Sequence, residues 1–435
     1  MRLLYVVHGY VPEAVGGVEL HSHHLATAMA RQHEVTVLAW RTDAGRPDYT
    51  IEEQRQDGVT VLRLNHRFTD LTSFRGIYRN ERIDALFDDV LASAKPDLVH
   101  VHHLIGLSVG TLERTRARGL PLVLGLHDFW FGCPRGQRIR DPLVVCHEID
   151  RRLCVPCLKP QNYELRAPRR PFGRWLARLR PPSLRRGLGL LADYDADMRR
   201  VLALPQAIIV PSRFHLDRYR EYGTDPGRMH VVPYGLPAAP LVGAERSARE
   251  RLRVGFLGTL IPSKGAHVLL EAYRRLGRPD VELDFHGAWV PFHGDSGYLE
   301  RLEAAAATIP GTIRFHGRYE EAEVPRILGG LDVLVVPSVW WESYSIVIRE
   351  GFLAGVPVVA SDHGAMAEAI EHGVSGLRFA PGDAEDLAAQ LARLLDDPEL
   401  RRRLVASPKP VATIEENAAR HLGIYRALCG DAAAA

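Results

Sequence analysis

Two glutamates, Glu342 and Glu350, stand eight positions apart in the stretch Pro337-Ser-Val-Trp-Trp-Glu342-Ser-Tyr-Ser-Ile-Val-Ile-Arg-Glu350. The stretch runs from an apolar strand into a helical pattern. Taken as one helical rise, eight residues turn about 80° past two full turns. That would put Glu350 near the edge carrying Glu342, two turns deeper. One carboxylate could meet a sugar and the other a ribose. The free N–H groups of the helix start between them suit a diphosphate. The plain alternative is two acids that favour a helix start, and the apolar Trp340-Trp341 beside them weighs against it.

A second candidate is the loop Gly258-Thr259-Leu-Ile-Pro-Ser-Lys264-Gly265, between a strand and a helix. Only four of the 55 basic residues are lysines (Lys95, Lys159, Lys264 and Lys409), so a lysine in such a loop stands out. A cation at a helix start could neutralise a diphosphate leaving group; the alternative is a solvated lysine. The first loop, His8 to Glu19, carries Gly16-Gly17, which lets the backbone approach a ligand or simply makes a tight turn. It is neither a dinucleotide fingerprint nor a P-loop.

Four of the five cysteines, Cys133, Cys146, Cys154 and Cys157, fall within 25 residues, directly after His127-Asp128. With one C-x-x-C pair they match a structural zinc site or an Fe–S cluster, with His147 as a substitute ligand. Reduced thiols with one disulfide are the alternative. Asp193-Tyr-Asp195-Ala-Asp197 looks like a metal-binding D-x-D but lies in a helical pattern, so a solvated helix face is expected.

These residues need elements to hold them. A chain of 435 residues with 46% hydrophobic and 25% charged content is globular and long enough for two or three domains. Short apolar runs mark strands at Leu3–Val7, Glu34–Ala39, Thr60–Leu64, Leu98–His102, Leu122–Leu126 and Ala207–Val210. Helical stretches lie between them; Gly17–Arg31 is one, with Leu20, His24, Thr27 and Ala28 on one face. The pattern restarts with His230–Val232, Val254–Leu257, Glu282–His286, Thr312–His316, Val333–Val336 and Pro357–Ala360. The fold class expected is α/β, two doubly wound Rossmann-like domains. The change-over falls in the turn-rich Gly223–Gly227. The expected division is 1–226, with a Cys- and Arg-rich insertion at about 133–190, and 227–410.

A net charge of +2 argues against a nucleic-acid binder. No apolar run reaches the roughly 18 to 20 residues needed to span a bilayer. The first residues read as a strand rather than a signal peptide, so a cytoplasmic protein is expected. The arginine-rich segment 166–186, with Trp175, Leu176 and Leu179 on one helical face, could touch an anionic membrane or pack on its own domain.

Gly16-Gly17, Gly258-x5-Lys264-Gly265 and Glu342-x7-Glu350, in this order over two α/β domains, resemble the retaining nucleotide-sugar glycosyltransferases of family 4, which have the GT-B fold. The resemblance covers nearly the whole chain. It takes in Ser361 to Glu368, His127-Asp128, and a C-terminal helix in 411–430 that would cross back to the first domain. It implies a nucleotide-sugar donor, a saccharide or lipid-linked acceptor, and no cofactor or metal for catalysis. Lys264 would contact the diphosphate and Glu350 the ribose. Glu342, with backbone N–H groups of Tyr344, Ser345 and Ile346, would hold the sugar. Gly17 would approach the donor, and His127 would sit at the reacting sugar. Thr259 departs from the family's usual arginine, a lost charge that Arg213 could replace. Two other readings stay open. One is another reaction on the same fold, epimerisation or inverting transfer. The other is a non-catalytic nucleotide-sugar or glycan-binding protein.

Overall fold

The computed structural model describes residues 1–159, 162–163, 184–243 and 250–430. Most of the arginine-rich segment 166–186 lies outside the described residues.

Two sheets organise the chain. The first is built from β1 (Arg2–Val7), β2 (Glu34–Arg41), β3 (Thr50–Gln56), β4 (Val59–Asn65), β5 (Leu98–Val101) and β6 (Leu122–Gly125). A two-stranded hairpin, β7 (Ile139–Arg140) and β8 (Val144–Val145), stands apart before β9 (Ala207–Val210) and β10 (Met229–Val231) complete that sheet. Its order is β10-β9-β6-β5-β1-β2-β4-β3. All pairs are parallel except β3 with β4. The second sheet contains β11 (Arg253–Leu257), β12 (Glu282–His286), β13 (Thr312–Gly317), β14 (Val333–Val336), β15 (Val358–Ser361) and β16 (Leu377–Phe379). It is wholly parallel, in the order β13-β12-β11-β14-β15-β16.

The expected strands are present; β3, β16 and the hairpin β7–β8 were not expected, and one expected strand changes domain. His230–Val232 was expected to open the second domain. The strand there pairs with β9 instead, so the first sheet extends past 223–227 to Val231. β3 carries no apolar pattern at all. Its sequence Thr-Ile-Glu-Glu-Gln-Arg-Gln forms an exposed antiparallel edge, where charge discourages pairing with another chain.

Each sheet is covered on both faces, as the continuous apolar strands require. In β1, Leu4 and Val6 face one core, while Leu3, Tyr5 and Val7 face another. That second face is covered by the helix Gly17–Ala30 and by the C-terminal helix Ile414–Cys429, whose Tyr425 is fully buried. The C-terminal helix therefore does return to the first domain. A capping box between Thr413 and Glu416 starts it. The buried face of Gly17–Ala30 is His21, Ser22, Leu25, Ala26 and Met29, one position round from the face expected. Leu20 and His24 are left to line a cavity between the domains.

Candidate active site between the two domains

In an open parallel sheet, ligands sit beyond the carboxyl ends of the strands where the strand order reverses. In the second sheet this switch point lies between β11 and β14. The loop after β11 carries Lys264, and the loop after β14 carries Glu342. The loops are tied together: the Val339 amide donates to the Ser263 carbonyl at 2.9 Å. Gly265 makes this approach feasible. Its φ is +76°, and a Cβ there would stand 1.9 Å from the Pro337 carbonyl oxygen.

Lys264 Nζ meets Glu342 Oε1 at 2.6 Å, and Ser338 Oγ donates to the same oxygen at 2.7 Å. Glu342 is buried. Burial pushes its carboxyl up, but the adjacent ammonium and the hydrogen bonds outweigh this and hold it below its ordinary value. The pair is therefore charged, with Lys264 still partly open to solvent.

The single helix running from Glu342 to Glu350 does not exist. The helix spans Ile346–Leu353, and its N-cap Ser345 is left-handed at φ +63°, ψ 81°. A non-glycine residue there marks a held conformation of the kind found at ligand sites. Glu342 thus belongs to the loop and Glu350 to the helix. Glu350 lines a cavity of about 320 Å³ with Leu20, His24, Tyr234, Glu321 and Ile346. Burial, then the neighbouring Glu321, pushes its carboxyl up to about 7. Glu321 itself pairs across the domain gap with His24 at 2.9 Å.

From the first domain, Gly17 faces this site: a Cβ added to it would touch Ile346 Cδ1 at 3.4 Å. Gly16 is the extended N-cap of its helix. Gly258, at φ +142°, hydrogen-bonds His286 across the strand ends, with Thr259 next to it. Arg213 begins the helix Arg213–Glu221, and its amide is taken by Glu368 at 3.1 Å.

No hydrogen bond joins His127 to Lys264 or Glu342. It is buried, with Nδ1 hydrogen-bonded to the Tyr234 hydroxyl and Nε2 3.3 Å from His102 Nδ1. Burial, with His103 adding, keeps it neutral, well below its ordinary pKa. Its link to the second domain is indirect. The Tyr344 hydroxyl donates to the Tyr234 carbonyl at 3.1 Å.

Sequence reasoning missed the cage around Trp341. This residue precedes Glu342, yet its ring is gripped by the first domain. Arg138 stands 5.1 Å from its ring centre, Arg218 5.5 Å, His147 5.0 Å and Phe214 5.4 Å. Glu368 was also missed as a bridge: its carboxylate accepts from the Arg213 and Phe214 amides, capping a helix of the other domain. No local spacing announces either contact.

Cys133, Cys146, Cys154 and Cys157 all line one cavity of about 390 Å³. Burial raises the Cys133 and Cys146 thiols and pushes Cys154 up to about 11. Among the described residues, the ligand atoms gathered within 4.8 Å as a group of three belong to Asp284, His286 and His316, not to the cysteines. In that trio Asp284 is already paired with Arg253 at 3.0 Å and Arg314 at 3.4 Å. The aspartates of the D-x-D look-alike are not all solvated. Asp197 is buried against Arg75 at 3.0 Å, and Asp195 is bound by Arg151 at 2.8 Å.

Two Rossmann-like domains with a cation–carboxylate pair at the switch point are the architecture expected of the GT-B type. The comparisons agree. Residues 15–239 match the model of Glycosyltransferase Family 4, and residues 243–409 that of Glycosyl transferases group 1. The chain belongs to Glycosyltransferase Family 4. It is 27% identical to the MMP alpha-(1->4)-mannosyltransferase of Mycolicibacterium hassiacum, over 72% of this chain and 66% of that one. It is 26% identical to a Mycobacterium tuberculosis glycogen synthase, over 93% and 88%. Among solved structures it superposes on Anabaena HepE in complex with UDP and glucose with TM-score 0.66, at 17% identity over 97% and 99% of the chains. With the sucrose-phosphate synthase of Thermosynechococcus elongatus the TM-score is 0.69, at 17% identity over 98% of each chain. Among the described residues no helix is long and apolar enough to cross a membrane.

Proposed function

We propose that this protein moves a sugar from a UDP- or GDP-sugar to a saccharide or lipid-linked acceptor, with retention at the anomeric carbon. The observation that carries the proposal is the Lys264–Glu342 pair at the second sheet's switch point, with Glu350 at the domain interface. The domain of 253–410 would hold the donor. The first domain, with the helix Ile414–Cys429 against it, would present the acceptor.

In this reading Lys264 neutralises the departing diphosphate together with backbone N–H groups at Tyr344, Ser345 and Ile346. Lys264 is anchored by Glu342 yet partly open, so it can serve the phosphate without losing its partner. Glu342 accepts hydrogen bonds from sugar hydroxyls, and Glu350 from ribose hydroxyls. Gly16, Gly17, Gly258 and Thr259 let backbone come close to the donor. The acceptor hydroxyl attacks the anomeric carbon on the face from which the diphosphate leaves. The bond from that carbon to the phosphate oxygen breaks, and the hydroxyl proton passes to that oxygen. His127 is a positioning residue here, holding Tyr234 against Tyr344. The transfer needs no catalytic metal, as the family resemblance implies. A lipid-linked acceptor would bring segment 166–186 to an anionic membrane.

Thermal-shift screening of UDP- and GDP-sugars tests the donor, since a ligand of the folded state raises its melting temperature. Transfer to an acceptor, with the product's anomeric configuration read by NMR, tests the reaction. An inverted product overturns retention. Binding of a nucleotide sugar with no transfer or donor hydrolysis favours the non-catalytic reading.

A further inference from the structure

The cysteine-rich segment is tied at both ends, and to different domains. At one end Val155 is buried in the first domain's core, and Arg151 Nη2 donates to the Gly132 carbonyl at 3.0 Å. At the other end the β7–β8 hairpin reaches across. Ile139 is only 2% exposed and belongs to the core of the second domain, with Leu143 packed against it. Arg135 Nε donates to His293 at 3.0 Å, and Arg138 and His147 close on Trp341. Among the described residues, Ile139 and Val155 are the segment's only fully buried apolar side chains, so it needs another source of order to hold such a span.

We propose that the segment 133–158 is an interdomain clasp locked by one zinc ion on Cys133, Cys146, Cys154 and Cys157. The four thiols line the cavity between the anchored helix and the hairpin. Cys154 and Cys157 stand three apart on the helix Arg151–Leu158, hence on one face. Cys133 and Cys146 flank the hairpin. One ion would therefore join the helix held by the first domain to both legs of the hairpin held by the second. Arginines stand ready for the added charge, since Arg135, Arg138 and Arg140 line the same cavity. A zinc with four thiolates carries a net charge of −2. Arg135 already donates to Cys157 Sγ at 2.8 Å and Arg151 to Cys154 Sγ at 3.6 Å. Ion binding draws the sulfurs inward, releases the four thiol protons and turns binding energy into local order. The clasp then holds Trp341, and with it the Glu342 loop, against the first domain. This goes beyond the transfer reaction and does not depend on it.

Elemental analysis of protein purified without a metal-affinity tag is expected to give about one zinc per chain. Cys154→Ser/Cys157→Ser should lose nearly all of it. In that variant, hydrogen exchange should quicken at 135–147 and at 338–344, while β1, β5, β11 and β14 stay protected. Ile139→Asp leaves all four thiols in place. It should keep its zinc, yet speed exchange at 338–344 in the same way. Less than about a tenth of an equivalent of zinc in the parent overturns the proposal. So does a disulfide in its place, or unchanged exchange at 338–344 in the two variants. None of these readouts uses a donor, so a protein that transferred no sugar would still give them.

Discussion

Lys264 and Glu342 are each other's nearest charge, and this couples catalysis to stability. Lys264→Ala should cost roughly 2–4 kcal/mol of transition-state stabilisation, as loss of a preorganised charge does. It also leaves a buried carboxylate with Ser338 as its remaining side-chain partner, so folding should weaken by about 1–3 kcal/mol. Adding Glu342→Gln should restore much of the melting temperature but none of the activity. A single variant as stable as the parent would mean the pair is not formed. Glu350 behaves in the opposite sense. Its carboxyl is raised to about 7, so between its ordinary 4.5 and 7 the folded chain holds the extra proton. Its contribution is full below 4.5 and is lost as pH rises through 7. Glu350→Gln should therefore stabilise the ligand-free protein at pH 8 by about 1–2 kcal/mol, once partial exposure is discounted. The same variant should weaken UDP or GDP binding in calorimetry. If it is no more stable than the parent at pH 8, Glu350 is not desolvated.

At the scale of elements, the site depends on a loop meeting a loop. Gly265 has both a left-handed φ and a carbonyl at 1.9 Å from where a Cβ would go. Gly265→Ala must move the Lys264 turn away from Pro337. We expect a stability loss of more than about 1 kcal/mol, in excess of the ordinary cost of alanine at positive φ. A drop in turnover comparable to that of Lys264→Ala should accompany it, because the pair opens. Full activity in this variant would show that the loop tolerates the shift. Ser345 is the companion case on the other loop, held left-handed before the helix Ile346–Leu353.

At the scale of the molecule, the C-terminal helix and the first sheet enclose a group of neutral histidines. His21, His100, His102, His127 and His421 are all buried, and their rings approach one another within 3.9–5.9 Å. Burial first holds the first four well below 6.5, with repulsion from others of the group adding for His21, His100 and His102 and from His103 for His127; His421 is at about 4, by burial. The unfolded chain takes up these protons first, so stability is full above 6.5 and lost as pH falls toward 4. For His421 alone the loss is on the order of 2–3 kcal/mol by pH 4. The melting temperature should fall steeply between pH 6.5 and 4. A flat profile over that range would mean the histidines are solvated.

The sequence by itself determined twelve of the sixteen strands among the described residues and their order, and β3, β7, β8 and β16 escaped it. β1, β11 and β14 are legible because a strand buried on both faces must be apolar throughout, and that is a local property. The loops that carry Gly17, Lys264 and Glu342 were legible because each follows such a strand, and one holds a rare lysine. Which side chains meet was decided by the tertiary structure. Lys264 and Glu342 are 78 positions apart, and their contact depends on which strands are neighbours in the sheet. The helix start at Ile346 depends on packing of the loop before it, so a uniform helical count from Glu342 failed. His127 turned toward Tyr234 and His102, the Cys-rich hairpin crossed to the second core, and Glu368 capped the other domain's helix. These are contacts between rigid bodies. They follow from how two separately patterned sheets face each other, and short-range periodicity holds no record of that.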